Sequence, residues 1–226
     1  MRVAIRIAAT AAWLVMSVSA AAAAADQQEA EIIVDKSRLL VEEMMISGDR
    51  QVPESLIRQA AGIALIPDMI KGGLIIGASY GKGVVLQRAP EGWTGPAFIR
   101  IGGGSLGLQI GGQSVDLILV LVGQDAMNAF MRNEFKLGAD AALAVGPAGG
   151  RVSTATDMVL TGGIYSFSRA SGLFAGISIE GAIVSSQEEL NRAYFKDTGS
   201  TAVILAGKVH PDESGLRLIS VLNKVK

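Results

Sequence analysis

Cysteine is absent from all 226 residues, histidine occurs once, and aromatic side chains make up only 5% of the chain. Without cysteine there is no disulfide, no thiolate metal site, no thiol nucleophile and no lipid carried on an N-terminal cysteine. The one histidine, His210, sits in the polar stretch Lys208-Val209-His210-Pro211-Asp212, where a solvated loop role is the plain expectation and a catalytic base is not. Blocks of like charge are missing as well. Charged residues make up 18% of the chain and the formal charge is -1, so no basic stretch follows a phosphate backbone and nucleic acid is not an expected partner. The carboxylates Asp116, Asp125, Asp140 and Asp157 stand singly, without the repeated spacing of a calcium loop. Asp116 and Asp140, each bounded by apolar stretches, are expected in buried, hydrogen-bonded structural roles. These absences point away from an enzyme, a metal or a cofactor and toward binding.

What is present begins with a three-part export signal. Arg2 and Arg6 make a positive start, residues 7–18 form an apolar core too short to span a bilayer, and the alanine run 20–25 offers small-residue cleavage sites. Residues 1–25 therefore read as a signal peptide cleaved near Ala25, and 26–226 as one mature domain of formal charge -3 once Arg2 and Arg6 leave the total of -1. The expected location is the periplasm or cell envelope, peripheral to a membrane. A retained anchor fits less well, because Asp26, Gln27 and Gln28 suit a peptidase better than a stop-transfer segment.

The mature part opens with an amphipathic helix over 27–47, with Ile33, Val34, Leu40, Val41, Met44 and Met45 at helical spacing. Its polar side is acidic, so it is expected to lie on the domain's own core and not on a membrane. A short helix follows from Pro53 through Gln59. Glycine-punctuated apolar runs then read as strands at 63–66, 74–86, 97–101, 107–110, 115–122, 158–167, 173–184 and 201–206. Two helices interrupt them, over 125–137 and, from the capping-box pair Ser186 and Glu189, through Tyr194. Gly146, Pro147, Gly149 and Gly150 mark a loop. The fold class expected is α+β: a curved, mainly antiparallel, glycine-rich sheet, tending toward a barrel, packed by the long N-terminal helix and the mid-chain helix.

A G-L-x-x-G phrase recurs at Gly73–Gly77, Gly107–Gly111 and Gly172–Gly176. On a strand, Gly73, Gly77, Gly81 and Gly83 leave one face almost bare, so something must come close to it. The bland candidate is another element of the same domain; the sharper one is an acyl chain or another ligand. Three pattern matches fail on context. Gly102-x-Gly104-x-x-Gly107 lacks the helix a dinucleotide loop must open, and the serine phrases around Ser79 and Ser105 lack the helix of a nucleophile elbow. Lys82 lies three residues from Ser79, which on a strand puts the two on opposite faces.

The order of these phrases resembles the SYLF domain family. It runs from Ile66-Pro67-x-x-x-Lys71-Gly72-Gly73, through Trp93 with Pro96 and Phe98, Gly103-Gly104-Ser105, Asp116-Leu117-Ile118-Leu119, Lys136-Leu137-Gly138-Ala139-Asp140 and Val145-Gly146-Pro147, to Tyr165-Ser166, Gly172–Gly181 and Asn191. The resemblance covers nearly all of the mature chain. It implies membrane-lipid binding, with phosphoinositides in eukaryotic members and actin in yeast members. Neither ligand carries over to an exported chain whose opening helix is acidic, and Arg169-Ala170-Ser171 departs from the expected approach to Gly172. The cations placed to meet a headgroup are Lys71 and Lys82, with Arg88 and Arg100 as second choices, where phosphate would also reach backbone N–H groups. Ordinary solvated strand-end cations are the plain alternative for each. The expected function is non-catalytic lipid or membrane-surface binding in the envelope; the alternative is an envelope structural protein acting through protein–protein contacts.

Overall fold

The computed structural model describes residues 2–46, 52–73, 76–106, 111–145, 163–170, 173–174 and 179–225. Four long strands dominate: β1 (Ala60–Gly73), β2 (Ile76–Ala89), β3 (Gly92–Leu106) and β4 (Gly111–Val122). Shorter ones follow: β5 (Glu134–Lys136), β6 (Leu143–Val145), β7 (Gly163–Ala170), β8 (Leu173–Phe174) and β9 (Ile183–Ser186). They form one sheet in the order β5-β9-β3-β2-β1-β4-β7-β6, with β8 paired to β7. Every pairing is antiparallel except β6 with β7, and the sheet curls into a half-barrel. The architecture is α+β, with a long N-terminal helix and shorter helices beside the sheet.

Helix α1 (Arg2–Val41) continues into one π-helical turn, Glu42–Ile46. Ala30, Ile33, Val34, Leu40, Val41, Met44 and Met45 are buried, a stripe recurring every three or four residues that lays the helix on the sheet. Beneath it Phe98, Val84, Leu65, Ile118 and Phe167 are successive cross-strand partners, hence on one face, and all are buried. A fully buried side chain of this size contributes about 1.5–3 kcal/mol, so this row is a main source of stability. Phe98 meets Tyr194 of α4 (Glu188–Phe195) edge-on at 5.3 Å, placing that helix on the same face. Helix α3 (Gln124–Phe130) lies against the other face, where a Cβ on Gly62 would come within 2.4 Å of the Met127 sulfur.

Several expectations give way to tertiary context. Pro67 does not end a strand: β1 runs straight through it because one extra residue is accommodated as a bulge between Leu65 and Ile70. Pro67 has no N–H to lose from a ladder, and Asp68 takes a positive φ of 50° there, its own N–H donating to Asp116 Oδ1 at 3.1 Å. Residues 201–206 are not a strand but α5 (Thr201–Leu205), with Thr201, Ile204 and Leu205 buried at helical spacing against β3. The helix expected over 125–137 stops at Phe130, because Phe135 turns back to stack edge-on with it at 4.8 Å and residues 134–136 pair with β9. The long strand expected over 173–184 is interrupted by a turn at Glu180 and Gly181. Ser186 does not cap α4. It ends β9 and its hydroxyl meets Thr201 Oγ1 at 2.7 Å, leaving at the cap position Gln187, whose side chain donates to the Ser186 carbonyl at 3.1 Å and makes no capping bond. A last helix, α6 (Glu213–Leu222), is additional to those read from periodicity. The strand at 107–110, the loop at 146–150 and residues 74–75 lie outside the described residues.

Candidate functional site

The four long strands change character at the β1 bulge. On the side where α1 lies they are buried on both faces; beyond it glycine and small residues take over and solvent enters. Gly81 and Gly83 sit at the boundary and are covered by the bulge itself. A Cβ on Gly81 would come within 2.7 Å of Ile66 Cγ2, and one on Gly83 within 2.1 Å of the Leu65 carbonyl oxygen. At these two positions the bare face of β2 is therefore filled by the domain's own β1. Further out, Cβ atoms on Gly102 and Gly104 would find their nearest neighbours at 3.8 and 3.9 Å, and one on Gly112 would meet nothing within 4 Å.

On this open end lies a second cross-strand row. Lys136, Ile183, Gly102, Tyr80, Ile70 and Ser114 are successive partners and share the face on which α1 rests. Ile70 is 64%, Tyr80 49% and Ile183 43% exposed. The next row outward on the same face holds Gly104, Ala78, Gly72 and Gly112. Toward α1 the adjoining row holds Glu134, Ser185, Arg100 and Lys82. A belt of ion pairs then joins helix to sheet: Glu29 with Lys82 at 2.6 Å, Lys36 with Asp68 at 2.7 Å, and Glu43 with Arg169. The helix residues are seven apart and alternate in sign against the opposite alternation on the sheet, which fixes the register of α1 across β2, β1 and β7. Arg169 also reaches Asp116 Oδ2 at 3.3 Å, and these two carboxylates strengthen its hold on its proton, Glu43 foremost.

The four cations singled out from sequence are not brought together. Lys82 and Arg100 are direct cross-strand partners, but Lys82 is paired to Glu29. Lys71 is the partner of Ser79 and so lies on the opposite face. Arg88 points inward: its guanidinium donates to the Ala60 and Ile57 carbonyls at 3.0 and 2.8 Å, stacks 4.2 Å over Trp93, and has its pKa lowered by burial. Arg100 is exposed and has no ion-pair partner among the described residues. Ser79 donates to the Gly103 carbonyl at 3.3 Å, on the face opposite Lys82, and His210 is exposed in the loop before α6. Sequence reading passed over Ile70, Tyr80, Ile183 and Lys136 because their alignment depends on the one-residue bulge in β1 and on β9 pairing with β3, neither visible in local pattern.

Two other polar clusters are structural in form. Asn191, fully buried, accepts from the Phe98 N–H at 2.8 Å and donates to the Gly199 carbonyl at 3.0 Å, tying α4 to β3. Asp212 caps α6 by accepting from the Gly215 N–H at 3.1 Å and from Ser214 Oγ at 2.6 Å, and it also accepts from the Tyr194 hydroxyl. Burial pushes the Asp212 carboxyl up, but the bonds from Ser214, Tyr194 and Gly215 together outweigh it and leave its pKa lowered. Burial, then Asp212, raises that of Tyr194, which stays a neutral donor. Asp116 holds the bulge, as a structural role requires, whereas Asp140 is exposed in a turn and, among the described residues, accepts from the Lys136 N–H at 2.6 Å. A cleft of about 470 Å³ at the other end of β2 and β3 is lined by Trp93, Val209, His210, Pro211, Leu216 and Ile219 among others.

Residues 102–225 match the family described as "Ysc84: Las17-binding protein actin regulator". The chain is 30% identical over 183 residues to "LAS seventeen-binding protein 3" of Saccharomyces cerevisiae, which is 79% of this chain and 39% of that protein. It is 32% identical over 177 residues to "SH3 domain-containing YSC84-like protein 1" of Rattus norvegicus, 77% of this chain and 52% of that protein. To "Protein YSC84" of Saccharomyces cerevisiae it is 28% identical over 183 residues, again 79% of this chain and 39% of that protein. The chain thus spans two-fifths to one-half of the length of these relatives. The family match takes in the outer third of β3, all of β4 and every described element after it, more than half of the 226 residues, and the chain belongs to the Ysc84, or SYLF-domain, family.

Proposed function

We propose that this chain is a non-catalytic binding protein of the cell envelope that engages a lipid or membrane surface through the open, glycine-rich end of its sheet. The observation that carries the reading is the exposure of Ile70, Tyr80 and Ile183 there, in two cross-strand rows whose other members are glycine, alanine, serine and Lys136. Large apolar side chains gathered at one end of a domain cost little in water singly and gain most when a shared apolar partner covers them. Export is supported by the start of the chain. Residues 22–25 are exposed and, among the residues whose burial is described, the first buried one on α1 is Ala30, so cleavage near Ala25 would leave the described stripe from Ala30 to Met45 intact. Among the described residues no helix is long and apolar enough to cross a membrane, which says nothing of strands. Actin and Las17 belong to the description of the family and to the names of relatives that are much longer. An exported chain would meet neither, so neither is carried over.

The test is native mass spectrometry of the protein purified from envelope extracts, with chemical analysis of co-purifying lipid and the intact mass read for the N-terminus. A chemically uniform, stoichiometric lipid on a chain beginning near Asp26 supports the reading. The same exposed row would also bury against protein. Lipid-free chain that assembles as its concentration rises would replace lipid binding with envelope assembly through protein–protein contacts.

A further inference from the structure

The two faces of the open end differ in charge as well as in apolar content. On the face that carries α1, the two rows beyond the ion-pair belt hold Ile183, Tyr80, Ile70, four glycines, an alanine, a serine and one charged residue, Lys136. No carboxylate stands in either row, although the chain as a whole has a formal charge of -1. The helix acids that meet the sheet in the belt, Glu29 and Glu43, are paired with Lys82 and Arg169. In the adjoining row Glu134 accepts from Ser185 Oγ at 3.2 Å, and Glu188 and Glu189 stand with Arg100 around a hollow at the start of α4 without pairing to it. Lys136 and Arg100 have no ion-pair partner among the described residues. The opposite face at the same level offers Lys71, Ser79, Gly103 and Gln113, with no large apolar side chain.

Resting on the lipid-surface reading above, we infer that the open end meets the membrane one-sidedly, through the α1 face alone: Ile70, Tyr80 and Ile183 enter the interfacial zone while Arg100 and Lys136 reach the phosphates of anionic lipids. The chemistry matches that zone. Tyrosine is at home where an apolar body and a polar tip are both served, and long cationic side chains extend from an apolar patch to headgroup level. The glycines between the anchors let interfacial groups approach the backbone, and the absence of carboxylates from these two rows lessens the repulsion an anionic leaflet would exert there. A soft lipid surface also suits a contact bounded on one side by a raised helix about 10 Å across, to which a rigid partner would need a matching step.

The chain contains no cysteine, so single cysteines carrying a polarity-sensitive dye report each position cleanly. The variants are Tyr80→Cys and Ile183→Cys on the proposed contact, Gln113→Cys on the opposite face and Leu216→Cys at the distant cleft, each checked for an unchanged melting temperature. On addition of vesicles of phosphatidylcholine with phosphatidylglycerol, dye emission is expected to shift to the blue at 80 and 183 and to stay fixed at 113 and 216. In the otherwise unlabelled chain, Ile70→Ser with Tyr80→Ser is expected to weaken vesicle binding about tenfold or more. Arg100→Gln with Lys136→Gln should weaken it severalfold on anionic vesicles only, while Lys71→Gln leaves it unchanged. Equal shifts at 80 and 113, or equal losses from Lys71→Gln and from the Arg100 and Lys136 pair, would overturn the one-sided contact while leaving membrane binding intact. Blue shifts that grow with protein concentration in lipid-free buffer would show a second copy covering the face and overturn it as well. Failure of the wild-type chain to bind any vesicle would sink the lipid-surface reading itself.

Discussion

Gly83 and Gly112 belong to strands of one sheet, yet a Cβ added to the first would come within 2.1 Å of the Leu65 carbonyl oxygen and one added to the second would meet nothing within 4 Å. The same contrast holds for whole rows. Phe98, Val84, Leu65, Ile118 and Phe167 are buried under α1 and α4, whereas Ile183, Tyr80 and Ile70, which continue the same face outward, stand in solvent. Glycine in the inner region is a packing requirement: the β1 bulge occupies the volume a side chain would need. On the α1 face of the outer region Gly102, Gly104 and Gly112 have no close neighbour, whereas a Cβ on Gly103, on the opposite face, would come within 3.1 Å of Ala182, so the use of the three open glycines has to be sought outside the domain. A surface that folding does not require is free to be used for binding.

Substitutions that separate the two regions follow from this, and the largest effect belongs inside. Gly83→Val would drive a branched side chain into the β1 backbone and is expected to cost about 4 kcal/mol or more, read as loss of the folded state in thermal or urea denaturation. Asn191→Leu comes next. It leaves the Phe98 N–H and the Gly199 carbonyl buried without partners and should cost about 2–4 kcal/mol by the same measurement.

Asp212→Asn should cost about 1–2 kcal/mol at neutral pH, through weakened capping of α6 and of the Tyr194 hydroxyl. The sign with pH follows from the lowered carboxyl pKa. The carboxylate's contribution is complete above its unfolded value, near 3.9, and disappears as pH falls through the lower folded value. The wild-type chain should therefore lose part of its stability below about pH 4, and the asparagine variant should lose less over that window. Lys82→Ala, which breaks a partly exposed ion pair, should cost no more than about 1 kcal/mol, and less in high salt. Gly112→Ala is expected to fall within about 0.5 kcal/mol of wild type. A large loss there would show that the outer glycines are packed after all and would dissolve the comparison.

How much of this was legible in the sequence depends on the range of the interaction involved. The stripe of α1, the apolar run 115–122 and the glycine-rich texture of the sheet are local patterns, and each matches the structure. Residues 201–206 were misleading because β-branched content favours a strand, while the space beside β3 accepts a helix whose Leu205 carbonyl takes the Thr94 hydroxyl at 2.5 Å. Arg88 looked like a surface cation because nothing local announces that the Ala60 and Ile57 carbonyls, 28 and 31 residues earlier, need donors. Lys82 looked free because its partner Glu29 is 53 residues away.

Composition and periodicity by themselves determined the fold class, the position of α1 on its own core, and the lack of a thiol or of more than one histidine for catalysis, since each depends only on residue type and spacing. The ordered phrases of the sequence likewise sufficed to place the chain in its family. Which glycines are packed and which are bare, which cations are already paired, and which apolar residues line up across strands was decided only by tertiary structure. Strand register, shifted by a single bulged residue at Pro67 and Asp68, sets all three, and register is a relation between segments that no one segment contains.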